Sequence, residues 1–332
     1  MLKYYNQIDG EKLMNYYGNI SMPFLFIIDY SIQKIIILNS NEIASSGIQF
    51  QIDQSITNLN RAKNELNFDF LPIPFDVYNE AFNIVAKEIH YGNSFLCNLT
   101  ALSELNTNQS LEDIFNISAA KYKLLIPNYF VCFSPETFIT IDKNGLLKSN
   151  PMKGTIDADL PDAAYQLLSN KKELYEHHTI VDLIRNDVGI IAEKVWVSKF
   201  RYLERIDKHN GKAILQMSSE ICGQLNKSWK NQIGTNLIKM LPAGSICGAP
   251  KKRTLEIIQR AENITYFGKE RGFYSGIFGY FDGENLNSAV SIRYIEQMNN
   301  KLFFKSGGGI TFMSNPQEEY EELLQKIYIP LS

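Results

Sequence analysis

The chain has 332 residues, 45% of them hydrophobic and 21% charged, with a net charge of −3 from 33 basic and 36 acidic side chains. No stretch is basic enough to follow a phosphate backbone, which argues against a nucleic-acid partner. The longest apolar runs, such as 24–28, are far too short to cross a bilayer, and Met1 to Gln7 lack the apolar segment of a signal peptide, so a cytoplasmic location is expected.

Taken in chain order, 24–28 and 35–38 read as two strands joined by a polar turn, a hairpin. Residues 40–72 read as polar and irregular, with a soft boundary near Pro72 and Pro74. The expected organisation is a short portion, 1–75, packed on the same fold as a catalytic region, 76–332. Apolar groups at Tyr78, Phe82, Val85 and Ile89 predict an amphipathic helix over 76–91, stopped by Tyr91-Gly92-Asn93. A strand over 94–100 follows. Further strands are predicted at 129–133, 137–141, 213–217, 273–281, 289–295 and 301–305. Helices are predicted at 171–186, 231–240, 250–261 and 316–327. Strands come both as adjacent pairs and separated by helices, which predicts an α+β fold with largely antiparallel sheets. Cys97, Cys132, Cys222 and Cys247 form no C-x-x-C pair and read as reduced, buried thiols.

Several polar motifs carry possible chemistry. Pro151-Met152-Lys153-Gly154-Thr155 reads as a tight turn that presents a lysine beside a glycine. An exposed lysine is a solvated cation, but a desolvated one held at a substrate can attack carbon. Glu136 stands just before a predicted strand, where an acid is ordinarily just exposed. Glu173 and Glu176 are three apart, on one helical face, and so are Glu319 and Glu322. Asn315 and Pro316 make a cap and first turn for the second helix, and Lys326 lies one turn beyond Glu322. Each acidic face could simply be solvated. If the pairs converge, carboxylates without His or Cys suit magnesium. Gly307-Gly308-Gly309 reads as a loop after a strand, with amides open to an anion, or as a plain turn. Ser245 lies in a second small-residue loop, Pro242 to Lys251, where it could bind a ligand or cap a turn. Arg293, in Ser291-Ile292-Arg293, offers a fork of donors at a strand end. No Ser-His-Asp or Cys-His arrangement suggests hydrolysis.

Together, Glu176-His177 through Asp187, Pro242 to Lys251, Arg271 to Gly276, Ser291 to Arg293 and Gly307 to Lys326 resemble the chorismate-utilising enzymes, in family order. That family includes the anthranilate, aminodeoxychorismate, isochorismate and salicylate synthases. The resemblance covers roughly residues 76–330. It implies one chorismate-binding-type domain, two packed antiparallel β-sheets with helices outside. The lysine in the 151–155 motif is similar to that of the aminodeoxychorismate synthases, where most relatives have alanine.

The resemblance implies that Lys153 is the nucleophile and Glu136 the proton donor to the departing hydroxyl. It implies that Glu176 and Glu322 bind Mg2+ with Glu173 and Glu319 helping, and that Thr155 and Ser245 contact substrate. Gly307, Gly308, Gly309 and Lys326 would support the ring carboxylate, and Tyr274 and Arg293 would grip the enolpyruvyl carboxylate. Ammonia would come from a separate glutamine amidotransferase subunit, since no such segment is visible, and no tryptophan site is expected. Gln216 stands where relatives often have His tied to pyruvate elimination. Leu96 stands where isochorismate-type relatives have a polar residue that activates water. The alternatives are an anthranilate synthase component I and a non-catalytic chorismate-binding subunit.

Overall fold

The computed structural model describes residues 2–53, 68–207 and 213–330. Among these residues, nine strands form one antiparallel sheet and eight form another. In the first sheet the order is Met152–Asp157, Ala213–Gln224, Leu146–Ser149, Thr137–Ile141, Leu286–Val290, Ile277–Phe281, Phe24–Ile28 and Ile35–Asn39, and Lys194–Asp207 also pairs with Ala213–Gln224. In the second it is Gly248–Ala249, Leu96–Thr107, Lys301–Ile310, Tyr294–Met298, Phe130–Ser134, Tyr122–Ile126 and Gln49–Gln51, with Phe68–Leu71 added on Leu96–Thr107.

The strand Phe24–Ile28 explains the layering. All five residues are buried, because successive side chains point to opposite faces and both faces are covered. Leu25 and Ile27 pack with Tyr122, Leu124 and Tyr294 of the other sheet, which makes the core between the sheets. Phe24, Phe26 and Ile28 join a separate cluster with Ile180 and Ile184 of the helix Lys171–Gly189 and Leu237 of the helix Ile233–Met240. On the second sheet, Leu99 and Ile310 pack with Tyr78 and Phe82 of the helix Phe75–His90 and with Ile257 of the helix Lys251–Thr265. Burying one such side chain fully contributes ~1.5–3 kcal/mol.

The fold is thus two packed antiparallel sheets with helices outside, as the alternation of strands and helices suggests. Four differences from the sequence reading have physical causes. Residues 40–72 are not all irregular: Ser40–Ser46 is a helix started by a reciprocal Asn39–Glu42 capping box, and residues 54–67 lie outside those described. The run 289–295 is two strands, Leu286–Val290 in the first sheet and Tyr294–Met298 in the second, with the chain turning between them at Ser291 to Arg293. The 151–155 motif is not a free turn. It lies in the strand Met152–Asp157, and a bulge between Met152 and Thr155 accommodates Gly154 at φ +81°. Gly307, Gly308 and Gly309 are no loop at a helix start. They continue the strand Lys301–Ile310 and oppose Thr100, Leu99 and Asn98, while the next helix begins at Pro316. Glycine is required because a Cβ at Gly307 would fall 2.4 Å from Leu99 O. All four cysteines are free and buried.

Candidate active site

Two chain crossings between the sheets create the site. The chain leaves the second sheet at Ser134 and enters the first at Thr137, and the turn between them carries Glu136. It crosses back between Val290 and Tyr294, and that turn carries Arg293. The crossings are tied together, since Val290 N donates to Glu136 O at 3.1 Å and Phe133 N to Arg293 O at 3.1 Å. Sheet corners of this kind free side chains from the ladder and aim them at a cleft.

Glu136 Oε1 accepts from Ser245 Oγ at 2.8 Å. Both residues line one cavity with Ser149, Pro151, Gly244 and Asp187. The loop carrying Ser245 is anchored from behind: Asp187, on the helix Lys171–Gly189, accepts from Gly244 N at 3.2 Å and from Lys251 Nζ at 2.8 Å. Burial holds the Asp187 carboxyl above its ordinary value, and Lys251 pulls it back. Ser245 therefore bonds an acid of the site rather than merely capping a turn.

Pro151, just before the strand that carries Lys153, lines that cavity. The Lys153 side chain lies outside the described residues. A Cβ at Gly154 would stand 2.9 Å from Glu173 Oε2, so the bulge abuts the first acidic pair. Glu173 and Glu176 both lie on the helix Lys171–Gly189, whose cap Asn170 accepts from Glu173 N at 3.1 Å. Thr155 opposes Gln216 on the neighbouring strand, and Gln216 Nε2 contacts Met152 Sδ at 2.7 Å. Leu96, which begins the second-sheet strand Leu96–Thr107, is buried at 4% exposure in the apolar cluster that also holds Phe26 and Ile184.

The second acidic pair sits on the helix Pro316–Gln325, capped by Asn315 as the sequence predicts. Glu319 is 2% exposed and accepts from Ser314 Oγ at 2.6 Å. Measured from a Cβ at Gly308, Glu319 Oε2 is 3.4 Å away, Glu322 Oε1 3.6 Å and Lys326 Nζ 3.7 Å. Lys326 Nζ donates to Glu322 Oε1 at 2.6 Å and to Gly307 O at 2.9 Å. The triple-glycine strand and this helix thus meet as one polar wall. The charge density shows in Tyr78, whose hydroxyl is pushed well up by burial first and then by Glu319 and Glu322.

The chemistry of both pairs suits a hard cation, all carboxylate with no His or Cys ligand. Among the described residues, no three His, Cys, Asp or Glu side chains are grouped closely enough to hold a metal ion.

Tyr274 is 4% exposed. Burial pushes its hydroxyl up to about 12, against the pull of the Arg271 and Arg293 guanidinium groups. Arg293 stacks over the Tyr328 ring at 4.9 Å, and its buried Nε has no hydrogen-bond partner among the described residues. Arg293 and Ser275 both have left-handed backbones, φ +52° and +62°. Strain at two such residues, ~1–3 kcal/mol each, persists only where the surrounding structure holds it in place, and the Arg293 N–H is a donor that an anionic group would suit.

The sequence reading missed Glu262 and the role of Arg271. Glu262 binds Arg271 through two contacts, at 2.6 and 2.7 Å, inside the core. The signal was present: Thr254, Ile257, Ile258, Ala261, Glu262 and Thr265 form one buried helical stripe, and a glutamate in an apolar stripe calls for a buried cation.

Comparison with known proteins places this geometry. Residues 25–332 match the model of the chorismate binding enzyme family. The chain is 51% identical to an uncharacterized PabA-like protein of Haemophilus influenzae, covering 96% of this chain and 95% of that protein. It is 32% identical to the anthranilate synthase component 1 of Acetivibrio thermocellus over 82% of this chain and 56% of that one. Identity is 28% with the aminodeoxychorismate synthase component 1 of Bacillus subtilis, over 77% and 55%. A structure described as a 2,3-dihydroxybenzoate-specific isochorismate synthase from Bacillus anthracis shares the fold, with a TM-score of 0.71 at 18% identity, covering 98% of this chain and 89% of that one. With the family model spanning most of its length, the chain belongs to the chorismate binding enzymes.

Proposed function

We propose that the protein aminates chorismate at carbon 4, using ammonia from a separate glutamine amidotransferase subunit, to give 4-amino-4-deoxychorismate for 4-aminobenzoate and folate synthesis. The observation that carries the reading is the placement of the lysine motif. Its bulged strand abuts Glu173, and its first residue, Pro151, lines the cavity that also holds Glu136 and Ser245. The similarity to an aminodeoxychorismate synthase component 1 supports the same reading.

In this mechanism the Lys153 amine bonds to carbon 2 of chorismate. Both ring double bonds shift as the bond from carbon 4 to oxygen breaks, and Glu136 gives its proton so that water departs. Hydroxide is a poor leaving group, and such general acid help is worth ~10²–10⁴-fold. Ammonia then bonds to carbon 4, both double bonds return to their first positions, the bond from carbon 2 to Lys153 breaks, and the new ammonium group returns a proton to Glu136. Ser245, bonded to Glu136, orients that acid. Tyr274 and Arg293 bind the enolpyruvyl carboxylate, Thr155 lines the approach, and Lys326 with the Gly307–Gly309 strand faces the ring carboxylate. Glu176 and Glu322 would hold Mg2+, with Glu173 and Glu319 helping through water, and the ion would supply positive charge to that carboxylate. Glutamine should serve as nitrogen source only when the amidotransferase subunit is added.

The second reading is anthranilate synthesis, favoured by the 32% identity to an anthranilate synthase component 1. Gln216 weighs against it, because an amide cannot act as the acid or base that elimination needs. The test is Lys153→Ala with chorismate and ammonia. The proposal expects loss of the 4-amino product, and on the unsubstituted chain a chorismate-derived adduct on the peptide holding Lys153. Undiminished 4-amino product from Lys153→Ala removes the lysine from the mechanism.

A further inference from the structure

We propose that Glu262 and Arg271 form a positioning pair that keeps the separate walls of the substrate site in register without touching the reacting atoms. Only its turnover readout rests on the chorismate reading above. Arg271 is 4% exposed and Glu262 6%. The guanidinium gives Nε to Glu262 Oε2 at 2.7 Å and Nη2 to Glu262 Oε1 at 2.6 Å. Two of its remaining donors reach backbone carbonyls, Nη1 to Ile246 O at 2.9 Å and Nη2 to Asn98 O at 2.7 Å. Glu262 Oε1 also accepts from Thr100 N at 2.8 Å and Thr100 Oγ1 at 2.7 Å.

The partners of this one pair belong to different walls. Ile246 follows Ser245, the residue bonded to Glu136. Asn98 and Thr100 oppose Gly309 and Gly307 in the ladder. Arg271 itself begins the segment that carries Tyr274, and its own carbonyl accepts from buried Lys305 at 2.8 Å, on the strand that continues into the glycines. A planar guanidinium presents its donors at fixed angles, so one side chain sets the mutual position of three backbone segments. A buried ion pair gains little net stability over an apolar pair of the same volume. What this pair contributes beyond an apolar one is geometry, delivered where the site converges.

The test uses Arg271→Lys and Glu262→Gln in the full chain, read by amide hydrogen exchange and by kcat and KM for chorismate consumption. Lysine keeps the charge but lacks the fork. In Arg271→Lys, exchange over 97–100, 244–248 and 271–276 should rise at least ~10-fold, with Phe24–Ile28 unchanged. Chorismate consumption should fall at least ~10-fold in kcat/KM, as expected for groups displaced by a fraction of an ångström. Glu262→Gln keeps the shape of the acceptor and should show the same pattern at smaller amplitude. It carries the test should Arg271→Lys fail to fold. Exchange that rises by one common factor everywhere, or does not rise in those segments, overturns the proposal and leaves the pair a merely structural one. Absence of chorismate turnover in the unsubstituted chain would instead defeat the functional reading, with the exchange pattern still deciding this one.

Discussion

Asp187→Ala is the perturbation that best tests how the helix Lys171–Gly189 is coupled to the Ser245 loop. The Asp187 side chain is 10% exposed and that of Lys251 25%. The substitution removes the acceptor for Gly244 N and the counter-charge for Lys251, which keeps only Met240 O at 2.9 Å. Breaking a fully buried pair from one side costs ~3–5 kcal/mol. Lys251 is a quarter exposed and can regain water, so the expected loss is ~2–3 kcal/mol. Urea unfolding followed by the fluorescence of buried Trp229 measures it, with a lower midpoint and an unchanged slope. A loss under ~1 kcal/mol would refute the coupling, because even one unsatisfied buried amide should cost that much. The pH dependence has a defined sign. Burial raises the folded-state pKa of Asp187, so the native chain keeps a proton that the unfolded chain has lost. This contribution to stability therefore declines as pH climbs from the ordinary carboxyl range through the raised value, and Asp187→Asn should abolish that decline.

Glu322→Ala should eliminate magnesium-dependent chorismate binding with a stability change within ~1 kcal/mol, because a Glu→Ala change on a half-exposed helix face is cheap; calorimetry with chorismate and Mg2+ reads it, and unchanged binding removes Glu322 from the metal assignment. Lys123 is 3% exposed over the Phe115 ring, and burial lowers its pKa to about 8. The unfolded chain then holds the proton longer, so stability should rise from about pH 8 towards the ordinary lysine value of 10.5, and Lys123→Met should lose that rise in urea titrations across this range. Gly248→Ala should destabilise by at least ~3 kcal/mol, since Gly248 has φ +127° and a Cβ there would fall 1.8 Å from Leu96 O; a thermal midpoint within a degree or two of the parent would contradict that backbone geometry.

The sequence made legible whatever depended on local pattern. The hairpin read from 24–28 and 35–38 followed from two apolar runs and a polar turn, and Asn315-Pro316 marked the last helix start. The acidic pairs were visible because a spacing of three defines a helical face. What stayed hidden depended on distant contacts. Nothing local tells that Gly307 opposes Thr100, and only that closeness turns an apparent loop into a strand. The 289–295 run looked like one strand because its apolar residues continue across the corner where the chain changes sheets. The Lys153 motif looked like a turn because Gly154 favours one, while its pairing with Ala213–Gln224 makes it a bulge instead. Arg271 and Glu262 lie only nine positions apart, yet their other partners, Asn98 for Arg271 and Thr100 for Glu262, are far away in the chain.

The product formed by the unsubstituted chain from chorismate, an ammonium salt and Mg2+ tests the central claim most directly. Mass spectrometry with fluorescence detection should show 4-amino-4-deoxychorismate and no fluorescent anthranilate. Anthranilate, or isochorismate, as the main product would contradict the assignment of Lys153 and the carbon 4 chemistry built on it.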